Sequence, residues 1–182
     1  MVCTGNICRS PMAEVMLRDA LERCGADDIE VLSAGTWAGS GATATSEAVA
    51  VMQQRGIDLS GHRSQPVTPD LLGEADLILA MTSVHAREIG EMAPEALDKT
   101  LLMKEVAEIE ADEPAADALR EMRLATFLGG IRPEPRRALD LDDPMGLPVG
   151  AYERTAEHIE RGVHRLVEVL CGADGESAKT PR

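Results

Sequence analysis

The first eleven residues, MVCTGNICRSP, hold a cysteine at position 3 and an arginine at position 9, with Gly5-Asn6 between them and Ser10-Pro11 behind. A thiol set at the base of a ring of backbone N–H groups ionises readily to a nucleophilic thiolate. A guanidinium presents a planar fork that matches two oxygens of a phosphoryl group. Phosphoryl transfer spreads charge over three equatorial oxygens, so ringed N–H donors and one guanidinium suit it. The residues between support such a ring. Gly5 permits close backbone approach, and Asn6 tolerates a left-handed conformation. Ser10 can hydrogen-bond the sulfur and ease its departure. Cys3 is therefore read as the nucleophile that forms a phosphocysteine and Arg9 as the phosphate clamp. Thr4, Gly5, Asn6, Ile7, Cys8 and Ser10 are read as the loop that binds the phosphoryl group.

The C-x5-R spacing alone is weak, and a buried cysteine before a helix with a surface arginine is the plain alternative. The whole string, in a loop that opens a helix, is far more specific. It is not a Walker A loop, because no Gly-Lys-Ser/Thr follows. Zinc binding through Cys3 and Cys8 is disfavoured, since no second ligand pair stands at a familiar spacing. No metal or cofactor is expected.

Such a loop needs a strand before it and a helix after it. Pro11 to Arg23 reads as that helix, with Ser10 at the N-cap, Pro11 in the first turn and Gly25 as its stop. Ala13, Met16, Leu17, Ala20 and Leu21 repeat at helical spacing. IEVLSAG (29–35) and DLILAM (76–81) read as strands, and 101–103 as a short one. Ser46–Arg55, a turn at 68–72, a helix capped by Ser83 and a long amphipathic helix over 149–170 complete the pattern. Strands alternating with helices predict a parallel sheet covered on both faces. In such sheets ligands gather at the carboxyl ends of the strands, where Cys3–Ser10 would lie. Residues 1–172 are read as one domain with an insertion at about 104–138, holding one helix at 114–127, and residues 173–182 as a disordered tail.

The chain has 182 residues, a net charge of −14 and 44% hydrophobic residues. That balance argues against nucleic acid or an anionic membrane as partner, though a local anion site remains compatible with it. With no signal peptide and no membrane span evident, a cytoplasmic enzyme is expected. Cys24 and Cys171 lie in helical contexts and are expected as buried free thiols.

The segment VCTGNICRSPMAE closely resembles the phosphate loop of the low molecular weight protein tyrosine phosphatases. The likeness continues through SAGT (33–36), GIDLSGHRS (56–64), ADLILAMT (75–82) and DDPMG (142–146). It implies a four-stranded parallel α/β sheet with helices on both faces, the phosphotyrosine phosphatase I-like fold. It also implies that Asn6, Ser10, Ser33 and His62 form the network that holds the loop in shape. A phosphomonoester leaving group needs a proton that a thiolate cannot give. The family draws it from an Asp-Pro loop, here Asp143-Pro144, with Asp140 and Asp142 as rivals. Proline biases its predecessor toward an extended conformation that can hold Asp143 over the pocket. Asp143 would protonate the leaving group and then take a proton from the hydrolytic water.

The chain departs from the family pattern in two respects. The family places a central strand of about five residues before the nucleophile, yet only Met1 and Val2 precede Cys3. This first strand looks truncated: the start codon is expected upstream, and a sheet without those residues is expected to leave ladder groups unpaired and the core open. The second departure concerns the substrate. Ile7 resembles members acting on phosphotyrosine, whereas a bacterial branch acting on phosphoarginine has threonine there. DPMG, AMTSVH (80–85) and VGAYERT (149–155) look more like the arginine branch. Trp37, the single tryptophan, is placed at the pocket, in the core or at the rim. Hydrolysis of phosphotyrosine in proteins is the favoured activity and phosphoarginine the alternative. An arsenate reductase is disfavoured, because Cys24 and Cys171 lie outside the region around residues 80–90 where that relay would sit. A catalytically impaired phosphate-binding protein is the non-enzymatic alternative.

Cys8 stands close enough to Cys3 for a reversible protective disulfide, which is common in the family. Peroxide treatment is expected to yield a Cys3–Cys8 bridged peptide by mass spectrometry; over-oxidised Cys3 alone would contradict it.

Overall fold

The computed structural model describes residues 1–108 and 139–171. Four parallel strands, β1 (Val2–Cys3), β2 (Ala34–Gly35), β3 (Ile78–Ala80) and β4 (Thr100–Leu102), form one sheet in the order β2-β1-β3-β4. Val2 pairs with Ala34 on one side and Ala80 on the other, and Ile78–Ala80 runs in register with Thr100–Leu102. Among the described residues six α-helices accompany them: α1 (Arg9–Arg23), α2 (Ser46–Gln54), α3 (Pro69–Glu74), α4 (Ser83–Met92), α5 (Met103–Val106) and α6 (Val149–Cys171).

Alternation along the strands sends side chains into two cores. Cys3, Leu79 and Leu101 join Met12, Leu17, Met52, Tyr152 and Ile159 under α1, α2 and α6. Val2, Ala34, Ile78, Ala80 and Leu102 join Leu72, Ala86 and Ile89 under α3 and α4. The expected sheet with both faces covered is thus present.

The residues at element ends explain most boundaries. Thr45 and Thr68 accept N–H bonds from Ala48 and Leu71 and so cap α2 and α3. Gly25 has φ +73°, and bonds from Gly25 N to Glu22 O and from Ala26 N to Leu21 O close α1 in a Schellman turn. Two caps differ from expectation. Helix α1 begins at Arg9, so Ser10 lies inside it with its hydroxyl turned toward Cys3 Sγ at 2.9 Å instead of capping. Helix α4 is capped by Thr82 rather than Ser83, because Thr82 Oγ1 accepts from His85 N.

The strand expected over 29–35 shortens to Ala34–Gly35. Its ladder partner is β1, and beyond Met1 no described residue continues that ladder. Beside it, Ile29–Ser33, Leu77–Leu79, Leu166 and Leu170 line an open groove of about 760 Å³. The ladder itself is intact where β1 exists: Ala34 N bonds Met1 O, Thr36 N bonds Cys3 O and Met81 N bonds Val2 O, each at 2.9 Å.

Cys24 and Cys171, expected as free thiols, are joined in a disulfide. They close the C-terminal ends of α1 and α6, which pack side by side and bring the two Cα atoms to 6.4 Å across 147 residues of chain. Only this helix packing creates the pairing. The helix expected at 114–127, most of the insertion around it and the tail lie outside the described residues. Among the described residues no helix is long and apolar enough to cross a membrane.

Close packing of α5 on α6 gives a direct test. A Cβ at Gly162 would lie 2.7 Å from the Met103 carbonyl oxygen and 2.6 Å from Met103 Sδ. The side chain can yield, but the backbone cannot move without shifting α5. Gly162→Ala is expected to lower unfolding free energy by about 1–3 kcal/mol in urea titrations; an unchanged midpoint would show that α5 is not held against α6.

Candidate active site

The loop from Cys3 to Arg9 turns sharply at Asn6, the one non-glycine residue with positive φ (+53°) among those described. Asn6 is fully buried. Its Nδ2 donates to Ser10 Oγ at 3.0 Å and Ser33 Oγ at 2.8 Å, and its Oδ1 accepts from Gln65 N at 2.9 Å. Its carbonyl oxygen is 2.7 Å from His62 Nε2. Every polar atom of the side chain is therefore engaged, and its backbone N–H points at Cys3 Sγ, 3.3 Å away. Ser33 donates onward to Glu14.

Gly35 explains why SAGT accompanies the loop. A Cβ there would sit 2.4 Å from Thr4 O and 2.9 Å from Asn6 N, so β2 can approach the loop only as glycine.

Two free cysteines are described, and their surroundings distinguish them. Cys3 Sγ lies against Ser10 Oγ and Asn6 N–H, at the centre of the turn. Cys8 Sγ is packed against Thr45 Oγ1, Tyr152 Oη and Met145 Sδ at 3.6–3.8 Å. Burial pushes the Cys8 thiol up despite the hydrogen bonds from Thr45 and Tyr152. Cys3 is thus the free cysteine at the centre of the loop.

Among the described residues none accepts a hydrogen bond from the N–H groups of Thr4, Gly5, Ile7 or Cys8. Arg9 is buried, and its Nε likewise finds no acceptor there. Its Nη1 reaches Leu141 O at 3.3 Å and its Nη2 reaches Asp143 Oδ2 at 2.8 Å. An oxyanion in this nest would satisfy backbone donors and the orphaned Nε together.

The three carboxylates expected as rivals are sorted by their contacts. Asp140 is committed to the start of α4, accepting from Ser83 N at 2.6 Å and Ser83 Oγ at 3.1 Å, while Lys104 Nζ binds its carbonyl. Asp142 is exposed. Asp143 alone meets Arg9, across 134 residues of sequence, and its Oδ1 accepts from Met145 N at 3.2 Å. Its side chain is 53% exposed, against 5% for Arg9, so it lies at the mouth of the nest.

Trp37 is 79% exposed, not in the core. Its backbone N–H bonds Thr4 O at 2.9 Å and its indole Nε1 donates to Glu88 Oε1 at 3.0 Å, beside the loop. Gln65, Glu14 and His85 were not legible as site residues. Buried His85 places Nε2 2.8 Å from Thr4 Oγ1. Its one sequence signal is its position in the first turn of the helix that follows a buried strand.

The low molecular weight phosphotyrosine protein phosphatase family matches residues 1–117. A probable low molecular weight protein-tyrosine-phosphatase, EpsP, of Ralstonia nicotianae is 40% identical over 92% of this chain and 91% of its own. A protein-arginine-phosphatase of Bacillus subtilis is 42% identical over 93% of each chain. The crystal structure of a low molecular weight protein tyrosine phosphatase from T. tengcongensis superposes with a TM-score of 0.71 at 34% identity, covering 92% of this chain and 95% of the other.

Gly35→Ala tests the close approach of β2 to the loop. Displacing Thr4 and Asn6 is expected to weaken inorganic phosphate binding at least about tenfold in isothermal titration calorimetry. Unchanged affinity would mean that the loop does not depend on β2.

Proposed function

Because this chain belongs to the low molecular weight phosphotyrosine protein phosphatase family, we propose that it hydrolyses phosphotyrosine in proteins with Cys3 as nucleophile, Arg9 as clamp and Asp143 as general acid and base. The chain is a cysteine-dependent protein phosphatase, a hydrolase acting on phosphorylated proteins. The observation that carries the residue assignment is the loop itself: Asn6 N–H and Ser10 Oγ meet Cys3 Sγ, while among the described residues the other loop N–H groups and the buried Arg9 Nε have no acceptor.

A phosphoryl group entering the nest takes over the Arg9 guanidinium and frees Asp143 Oδ2 to face the leaving oxygen. The Cys3 thiolate attacks phosphorus. An S–P bond forms, the P–O bond to the phenol breaks, and the Asp143 carboxyl supplies the proton. Water then attacks phosphorus and gives its proton to the Asp143 carboxylate. The S–P bond breaks and inorganic phosphate leaves. Ser10 Oγ, 2.9 Å from Cys3 Sγ, stabilises the departing thiolate. Thr4, Gly5, Ile7 and Cys8 supply backbone donors to the equatorial oxygens.

Ile7 supports the tyrosine reading, since a partly buried aliphatic side chain in the loop suits an aromatic ring better than a guanidinium. Exposed Trp37 and Met145, one bonded to the loop through its backbone and the other beside Cys8, add apolar surface to the rim. Phosphoarginine is the second reading, favoured by Met145-Gly146 after Pro144 and by the arginine phosphatase of Bacillus subtilis at 42% identity. The charge of −14 supports an enzyme that acts apart from nucleic acid and anionic membranes.

Phosphotyrosine and phosphoarginine peptides decide between the two. Wild type is expected to prefer phosphotyrosine, and Cys3→Ser to abolish turnover of both. Asp143→Asn is expected to lower kcat by about 10²–10⁴-fold. Ile7→Thr should shift preference toward phosphoarginine; if it does not, Ile7 does not select the substrate. No turnover of either peptide would leave only a phosphate-binding role.

A further inference from the structure

We infer that His85 is a positioning residue: through Thr82 and Thr4 it aims a side-chain hydroxyl at the phosphoryl group beside Asp143. The inference rests on the phosphatase reading above and adds a donor to it. His85 lies in the first turn of α4, buried, and the contacts on its two ring nitrogens settle which of them carries the proton. Thr82 Oγ1 caps α4 by accepting the His85 backbone N–H at 3.3 Å. The same oxygen lies 2.9 Å from His85 Nδ1. We assign the Thr82 hydroxyl hydrogen to Nδ1, because with the opposite tautomer this half-buried hydroxyl would have no acceptor among the described residues, whereas the Thr4 hydroxyl is exposed. The ring proton is therefore on Nε2, which donates to Thr4 Oγ1 at 2.8 Å.

Thr4 Oγ1 also lies 3.5 Å from Arg9 Nη2, the nitrogen that holds Asp143. With both N–H groups directed at its oxygen, Thr4 keeps its own hydroxyl hydrogen to give. Among the described residues no acceptor takes it. Thr4 is exposed, next to Cys3 in the chain, and on the Asp143 side of the guanidinium. A phosphoryl oxygen, or the oxygen that bridges to the leaving group, is the acceptor this geometry serves.

Neutrality of His85 is part of the device. An imidazolium would put a second cation against the clamp and cost Nδ1 its acceptor role. Burial, then the Arg9 charge, hold the ring down to about 4, although Glu88, Asp143 and Asp140 face it with opposing charge. His85 is thus uncharged at neutral pH, and the relay from Thr82 to Thr4 runs in one direction.

The test uses turnover of p-nitrophenyl phosphate and calorimetric binding of inorganic phosphate by the full chain. His85→Phe and Thr4→Val are each expected to lower kcat about tenfold with KM changed less than about twofold. The double variant should be no slower than either single one, because both remove the same hydroxyl. His85→Gln, whose amide can donate from near the Nε2 position, and Thr4→Ser should each recover most of the rate. Losses that multiply in the double variant, a loss confined to KM, or a Gln variant as slow as Phe would overturn the inference. Should His85→Phe not fold, equal kcat for Thr4→Val and Thr4→Ser would overturn it alone. Wild type that binds phosphate but turns nothing over would instead refute the phosphatase reading.

Discussion

The site depends on holding Asn6 in a left-handed conformation inside the protein. A non-glycine residue in that region is strained by about 1–3 kcal/mol, and a buried amide left unpaired would cost about 1–3 kcal/mol more. Both costs are offset because three separate pieces of chain meet the residue. Ser10 comes from α1, Ser33 from the approach to β2, and His62 and Gln65 from the loop before α3. In return the Asn6 N–H is aimed at Cys3 Sγ. The nest is therefore a tertiary object, although its residues are consecutive.

Charge is organised in the same way. The protein is strongly acidic, yet its anion site is cationic because Arg9 is buried there. A buried guanidinium needs partners. Leu141 O and Asp143 supply them from the Asp-Pro loop, which is itself pinned by Asp140 at the start of α4 and by Leu141 N on Met81 O. The bond between Arg9 and Asp143 holds the proposed proton donor at the mouth of the loop. Net charge describes the solvated surface, whereas this site is decided by one desolvated cation and its neighbours.

The differences between sequence reading and structure share one cause. Ser10 has the chemistry of an N-cap, but its hydroxyl is claimed by Cys3 and Asn6, so helix α1 begins earlier. Residues 29–33 have strand composition, but a strand needs a paired neighbour, and β1 is only two residues long. Cys24 and Cys171 each read as a buried thiol from local context, and only the packing of α1 on α6 joins them. Each local preference was sound and was overridden by contacts from outside the element itself.

Covalent order alone determined the order of the chemistry: a thiol, a glycine, an asparagine able to turn left, an arginine and a helix start within eleven residues, and an Asp-Pro far downstream. Those features are local, set by side-chain type and backbone freedom. The alternation of strands and helices was legible for the same reason. Tertiary structure decided which of three aspartates reaches Arg9, which of two free cysteines stands at the centre of the nest, and that His85 touches Thr4 across 81 residues. Hydrogen bonds act over about 3 Å, and at such separations along the chain only the packed fold sets that distance.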